Sequence, residues 1–113
     1  MDLRELTKAS QLDEIDANSS EGKGVLIFKH STRCIISKMV WRNLTTEWSN
    51  DLDHIPVYYL DLISNRALSQ DVSKRYNVHH ESPQALLIKS GKCVYHDSHH
   101  GISQKEIKNL VDA

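Results

Sequence analysis

The chain has 113 residues, enough for one domain whose core needs no disulfide or metal staples. Apolar residues make up 39% and charged residues 26%, which excludes the disordered and fibrous classes, and 14 Lys plus Arg against 15 Asp plus Glu leave no basic excess to attract nucleic acid or an anionic membrane. No apolar run approaches the roughly 20 residues that span a bilayer, and Met1-Asp2-Leu3-Arg4-Glu5 lacks the apolar region of a signal peptide, so a cytoplasmic, membrane-free protein is expected.

In chain order, Leu3, Leu6, Leu12 and Ile15 recur at helix-compatible spacing, and Ser10 with Asp13 three residues on resembles a helix start. The first segment is therefore predicted to be one or two short helices. Glu21-Gly22-Lys23-Gly24 reads as a turn, and Val25-Leu26-Ile27-Phe28 is a continuous apolar run of the kind found in a strand covered on both faces. After Ser31-Thr32-Arg33-Cys34, residues Ile36, Val40, Leu44 and Trp48 recur every four positions and Met39 widens the stripe, predicting a helix with Cys34 at its N-terminus. Ile55 to Leu62 is rich in β-branched and aromatic residues and predicts a second strand, with Pro56 tolerable near its beginning. Ser64 or Asn65 can cap a helix reaching about Tyr76, with Ile63, Ala67, Val72 and Tyr76 near one face.

Gln84 to Lys89, the turn Ser90-Gly91-Lys92, and Cys93 to His96 predict a β-hairpin. In the last segment Ser103 and Glu106 have capping-box spacing, Ile102 and Ile107 stand where a hydrophobic staple would be, and Leu110 and Val111 continue the apolar face. The order is a helical segment, βαβα, then ββα. With right-handed crossovers this gives a single α/β domain over residues 1–113, a four-stranded mixed sheet flanked by helices on both faces.

The chemistry centres on Cys34. Folds of this kind place ligands where a strand end opens into the next helix. Free N–H groups and the helix dipole favour an anion there, and Arg33, Lys29 and Lys38 add positive charge nearby in sequence. These features favour the thiolate, which is the nucleophile in disulfide exchange. Cys34-Ile35-Ile36-Ser37 has dithiol-motif spacing with a hydroxyl in place of the second sulfur. Ser37 cannot resolve a mixed disulfide but could donate a hydrogen bond to the thiolate, which predicts monothiol exchange with release by an outside thiol. The alternative is that Cys34 simply packs at a helix end.

Cys93, near the hairpin turn, is expected at the far end of the sheet, about 15 to 20 Å from Cys34 at roughly 3.3 Å per residue, beyond disulfide reach and structural in role. His30, His80, His99 and His100 are expected on loops at the Cys34 end, where protonated His30 or His80 would further favour the thiolate. None has recognisable zinc-ligand spacing, so no metal site is assigned.

Phe28-Lys29-His30-Ser31-Thr32-Arg33-Cys34, Ser37, and Asn77-Val78-His79-His80-Glu81-Ser82-Pro83-Gln84-Ala85 together resemble the YtxJ-like family, the monothiol bacilliredoxins of the thioredoxin-like superfamily. The resemblance implies a thioredoxin fold, an active Cys34 and a cis bond before Pro83. It also implies a substrate class, mixed disulfides between client proteins and bacillithiol, a low-molecular-weight thiol that acts as co-substrate in place of any tightly bound cofactor. One departure is Ile35, where family members usually carry proline.

The leading expectation is thus a monomeric monothiol-disulfide oxidoreductase. Cys34 is its nucleophile, Ser37 its thiolate partner, and Thr32, Arg33, Ser82 and Pro83 shape the substrate groove. A non-catalytic thioredoxin-like binding module is the rival. A metal or iron–sulfur carrier is a weaker third, since the chain lacks a Gly-Phe pair between Cys34 and Ser37.

Overall fold

The computed structural model describes residues 1–113 and builds a five-stranded sheet with four α-helices. In chain order the elements are β1 (Asp2–Glu5), α1 (Gln11–Glu21), β2 (Val25–His30), α2 (Ile35–Thr46), β3 (Pro56–Asp61), α3 (Arg66–Tyr76), β4 (Gln84–Lys89), β5 (Lys92–Ser98) and α4 (Gln104–Asp112). The strand order is β1-β3-β2-β4-β5, with β1, β3 and β2 parallel and β4 and β5 antiparallel to their neighbours. The class is the expected α/β one, with one more strand than the sequence suggested.

The extra strand is a correction to the predicted N-terminal helix. Only α1 is helical there, and Asp2–Glu5 instead pairs with β3, Leu3 opposite Val57 and Glu5 opposite Tyr59. Leu3 is exposed while Leu6 and Leu12 are fully inside, so the helical periodicity across them was coincidental. At the start of α1 the Ser10 side chain makes no capping bond. The Gln11 Oε1 takes the Thr7 and Lys8 N–H groups instead, at 2.8 and 2.9 Å.

β2 lies at the centre of the sheet, and all six of its residues are buried. A central strand sandwiched between helix layers must be apolar on both faces, which is why Val25-Leu26-Ile27-Phe28 shows no alternation. Each such fully buried side chain contributes about 1.5–3 kcal/mol. Val25 and Ile27 join α1 and α3 residues such as Ile15, Leu68 and Val72 in one core, while Leu26 and Phe28 join Val40, Leu44, Ile107 and Val111 from α2 and α4 in the other. On α4 the Ser103 Oγ accepts from the Glu106 N–H at 3.2 Å as its spacing predicted, and Tyr95 Oη accepts the Ser103 N–H at 2.9 Å.

Candidate active site

β2 ends at His30, and the chain turns through Ser31-Thr32-Arg33 to enter α2 with Cys34 as its N-cap. The Cys34 backbone is extended, with φ −105° and ψ 122°; its N–H donates to Ser31 O at 3.1 Å and its C=O accepts the Lys38 N–H at 3.0 Å. The thiol is partly exposed and free. No side chain caps α2, in contrast to α4, and no acidic residue stands in its first turn, in contrast to both α1 and α4. Arg33 and Lys38 are exposed and make no salt bridge. An anion held at this helix start therefore meets uncommitted N–H groups and uncompensated positive charge.

Ser37 departs from its expected role. It is fully buried, its Oγ accepts the Ser31 N–H at 3.0 Å and lies 2.7 Å from His30 Nδ1, and no hydrogen bond joins it to the Cys34 sulfur. One turn into α2, position 37 faces the sheet, so its hydroxyl fastens the Ser31–Cys34 turn to the end of β2. Ile36 and Met39 also depart from expectation. They were placed in the buried stripe, yet they are 43% and 50% exposed beside Ile35 at 74%. At 3.6 residues per turn Ile35 and Met39 fall opposite the buried Ser37, Val40 and Leu44, and Ile36 falls at their margin.

His30 belongs to β2 and is buried, a second correction to its loop placement. Its ring lies 5.4 Å from that of Tyr59, and Trp41 packs between Phe28 at 4.8 Å and Tyr59 at 5.0 Å, forming an aromatic floor under α2. Burial pushes the His30 imidazole below its ordinary value, against a partial upward pull from Asp61. His80 is lowered as well, by burial and then by Lys29. Neither supplies the cation expected at neutral pH. Lys29 likewise does not serve Cys34. Its fully buried amine lies on the α3 side of β2, with Ser69, Ser73 and His80.

β4 begins where β2 ends, Gln84 opposite Lys29, so the Ser82–Pro83 turn and the Ser31–Cys34 turn stand at the same end of neighbouring strands. The Ser82–Pro83 peptide bond is cis. Pro83 O accepts the His99 N–H at 3.0 Å, whereas the N–H and C=O of Ser82 make no hydrogen bond within the chain. Thr32 and Arg33 stand exposed in the turn before the cysteine. The structure thus gathers Thr32, Arg33, Cys34, Ser82 and Pro83 at one end of the sheet. Cys93 is opposite Ile88, at the Val25 end. Its sulfur donates to Tyr95 O at 3.2 Å, and burial pushes this thiol up.

The sequence profile of the monothiol bacilliredoxin BrxC family matches residues 4–107. The chain belongs to this family. A solved structure described as a candidate oxidoreductase with a thioredoxin fold is 28% identical to this bacilliredoxin, with a TM-score of 0.78 over 96% of this chain and 93% of that one. Thioredoxin from Malassezia sympodialis (14% identity, TM-score 0.70, 97% and 88% covered) and from Fasciola hepatica (16%, 0.69, 96% and 96%) shares the fold. The bacilliredoxin thus has the family and the fold of thiol-disulfide oxidoreductases, with no helix long and apolar enough to cross a membrane.

Two site residues were not legible as such. Lys29 was expected to add positive charge near Cys34, although its odd-numbered place after Val25 and Ile27 on a doubly covered strand signals the α1–α3 side of the sheet. His30 reads as a loop residue because the apolar run stops at Phe28.

Proposed function

We propose that this bacilliredoxin removes bacillithiol, or a similar low-molecular-weight thiol, from mixed disulfides on client proteins through Cys34. The Cys34 thiolate attacks the small thiol's sulfur, forming a Cys34 mixed disulfide. The client leaves as a thiolate and takes a proton from solvent. A second low-molecular-weight thiolate then attacks the adduct, releasing a small symmetric disulfide and restoring the Cys34 thiolate. No other cysteine participates.

The observation that carries this proposal is the placement of one partly exposed cysteine at a helix start, with the only other cysteine on a strand at the opposite end of the sheet and its sulfur bonded to a carbonyl. The unpaired backbone of Ser82 suits an extended client segment, with Pro83, Thr32 and Arg33 bordering the groove and Ile35, Ile36 and Met39 offering it an apolar wall. Ser37 acts in this scheme by holding the Ser31–Cys34 turn. Free thiols at both positions suit a reducing cytoplasm, and a monomer without metal, bound cofactor, nucleic acid or membrane suffices for the exchange.

Incubation with a protein bearing bacillithiol on one cysteine tests the proposal. Without a second thiol, one equivalent of small thiol moves to Cys34 and the reaction stops; added bacillithiol restores turnover. Client binding with no transfer of the small thiol would instead mark a non-catalytic module.

A further inference from the structure

Adjacent residues of β2 point to opposite faces of the sheet, and its last two tie down different halves of the site. On the α2 face His30 meets Ser37, which also takes the Ser31 N–H and so fixes the turn that carries Cys34. On the α3 face Lys29 spends all three ammonium protons, on Ser69 O at 3.1 Å, Ser73 Oγ at 2.8 Å and His80 Nδ1 at 3.2 Å. His80 belongs to the segment that leads into Ser82 and Pro83. A second tether to that segment comes from Gln84, whose Nε2 donates to His79 O at 2.9 Å.

Lys29 has no carboxylate partner. Burying an ammonium without one is unfavourable, and a methionine would fill the same volume without that cost. What the amine adds is a three-way junction joining β2, α3 and the 79–83 segment. We propose that Lys29 and His80 are a positioning pair that holds the Ser82 backbone in register with Cys34 for client proteins. This rests on the exchange proposed above and assigns to the α3 side of the sheet the client half of that reaction.

The junction depends on protonation state. An ammonium can donate to Nδ1 only while His80 is neutral with its proton on Nε2. Lys29 faces the ring from β2; Ser69 and Ser73 lie beside it on α3, where Arg66 lines the same surface cavity; His79 and Glu81 flank it in sequence. Protonating His80 sets two cations against each other and loosens the segment.

The test compares Lys29→Met, His80→Leu and His80→Asn with the unaltered chain, using two substrates. One is a protein mixed disulfide and the other a small aromatic disulfide, which reaches Cys34 without the Ser82 turn. Lys29→Met and His80→Leu are expected to raise KM for the protein about tenfold and to leave the small-disulfide rate within about twofold. His80→Asn, which keeps an acceptor near Nδ1 and does not titrate, restores KM and removes the rise in KM expected as falling pH protonates His80. Unchanged KM in His80→Leu, or failure of Asn to rescue, overturns the positioning role, and the His80 pair decides it even where Lys29→Met does not fold. If the unaltered chain reacts with neither disulfide, it is the exchange itself that falls.

Discussion

The two ends of the sheet carry the same chemical group in opposite circumstances. Each end also has a buried serine that takes a backbone N–H from a turn, Ser37 from Ser31 at one end and Ser19 from Gly91 at the other, at 3.0 and 2.9 Å. Each has a cysteine a few residues from that turn. At the β2–α2 end the sulfur stands on an uncapped helix start beside unpaired cations, with Ile35, Ile36 and Met39 projecting into solvent. At the hairpin end it lies on a strand, against the core around Ile88 and Tyr76, bonded to a carbonyl. The proposed division of labour between the two thiols therefore rests on environment and not on residue type.

The largest expected effect comes from removing each sulfur in turn. Cys34→Ser abolishes thiol transfer from a protein mixed disulfide, while Cys93→Ser keeps the rate within about twofold of the unaltered chain. Comparable losses in both would erase the distinction between the ends.

Next in size is a pH effect peculiar to the Cys34 end. Burial lowers the Lys29 amine to about 8, far below its unfolded value. Folding then disfavours the charged form, so stability is lowest below about pH 8 and rises toward pH 10. The full cost is about 3 kcal/mol. Chemical denaturation from pH 7 to 10 should show this rise, and Lys29→Met should flatten it. His30 and His80, both lowered, act in the acid range. Their contribution is complete above about pH 6.5 and is lost as pH falls through their folded values. Amide exchange at low pH is therefore expected to quicken first at Ser31 and Leu62, with Ser90 and Gly91 protected longer.

The paired serines sharpen the comparison further. Ser37→Ala and Ser19→Ala each orphan a backbone N–H and should each cost about 1–3 kcal/mol in urea unfolding. Only Ser37→Ala should also slow thiol transfer, because only its turn carries the reactive sulfur. Equal kinetics in the two variants would mean that the Ser31–Cys34 turn needs no such anchor.

The smallest effect concerns Ile35. At this first helical position the N–H has no intrahelical partner, and the ψ of 122° at Cys34 already suits a following proline. Ile35→Pro should raise stability by about 0.4–1 kcal/mol. A loss would show that the isoleucine side chain or its N–H is engaged at the site.

Much of this was legible in the sequence because the signals were local. Four consecutive apolar residues marked the central strand, the hydrophobic stripe of Val40 and Leu44 marked α2 and put Cys34 at its start, and Ser103 with Glu106 marked α4. What was missed depends on neighbours. Asp2–Glu5 is a strand only because β3 offers it a free edge, and its own side chains are mostly exposed. Ile36 and Met39 were read into the stripe of α2, but Ser37, Val40 and Leu44 define its buried face, and Met39 lies opposite them with Ile36 at the margin. The dithiol-like spacing suggested that Ser37 faces the sulfur, whereas the sheet end beneath α2 turns it toward His30. Lys29 is hydrogen-bonded to residues 40 to 51 positions away, a pairing no local pattern encodes.

The central claim is that the two thiols differ in kind. Brief alkylation of the folded protein at neutral pH, followed by peptide mass spectrometry, tests it most directly. Cys34 should be modified at least about tenfold faster than Cys93, which becomes equally reactive only in denaturant. Equal labelling of the two in the native state, or faster labelling of Cys93, would contradict the account.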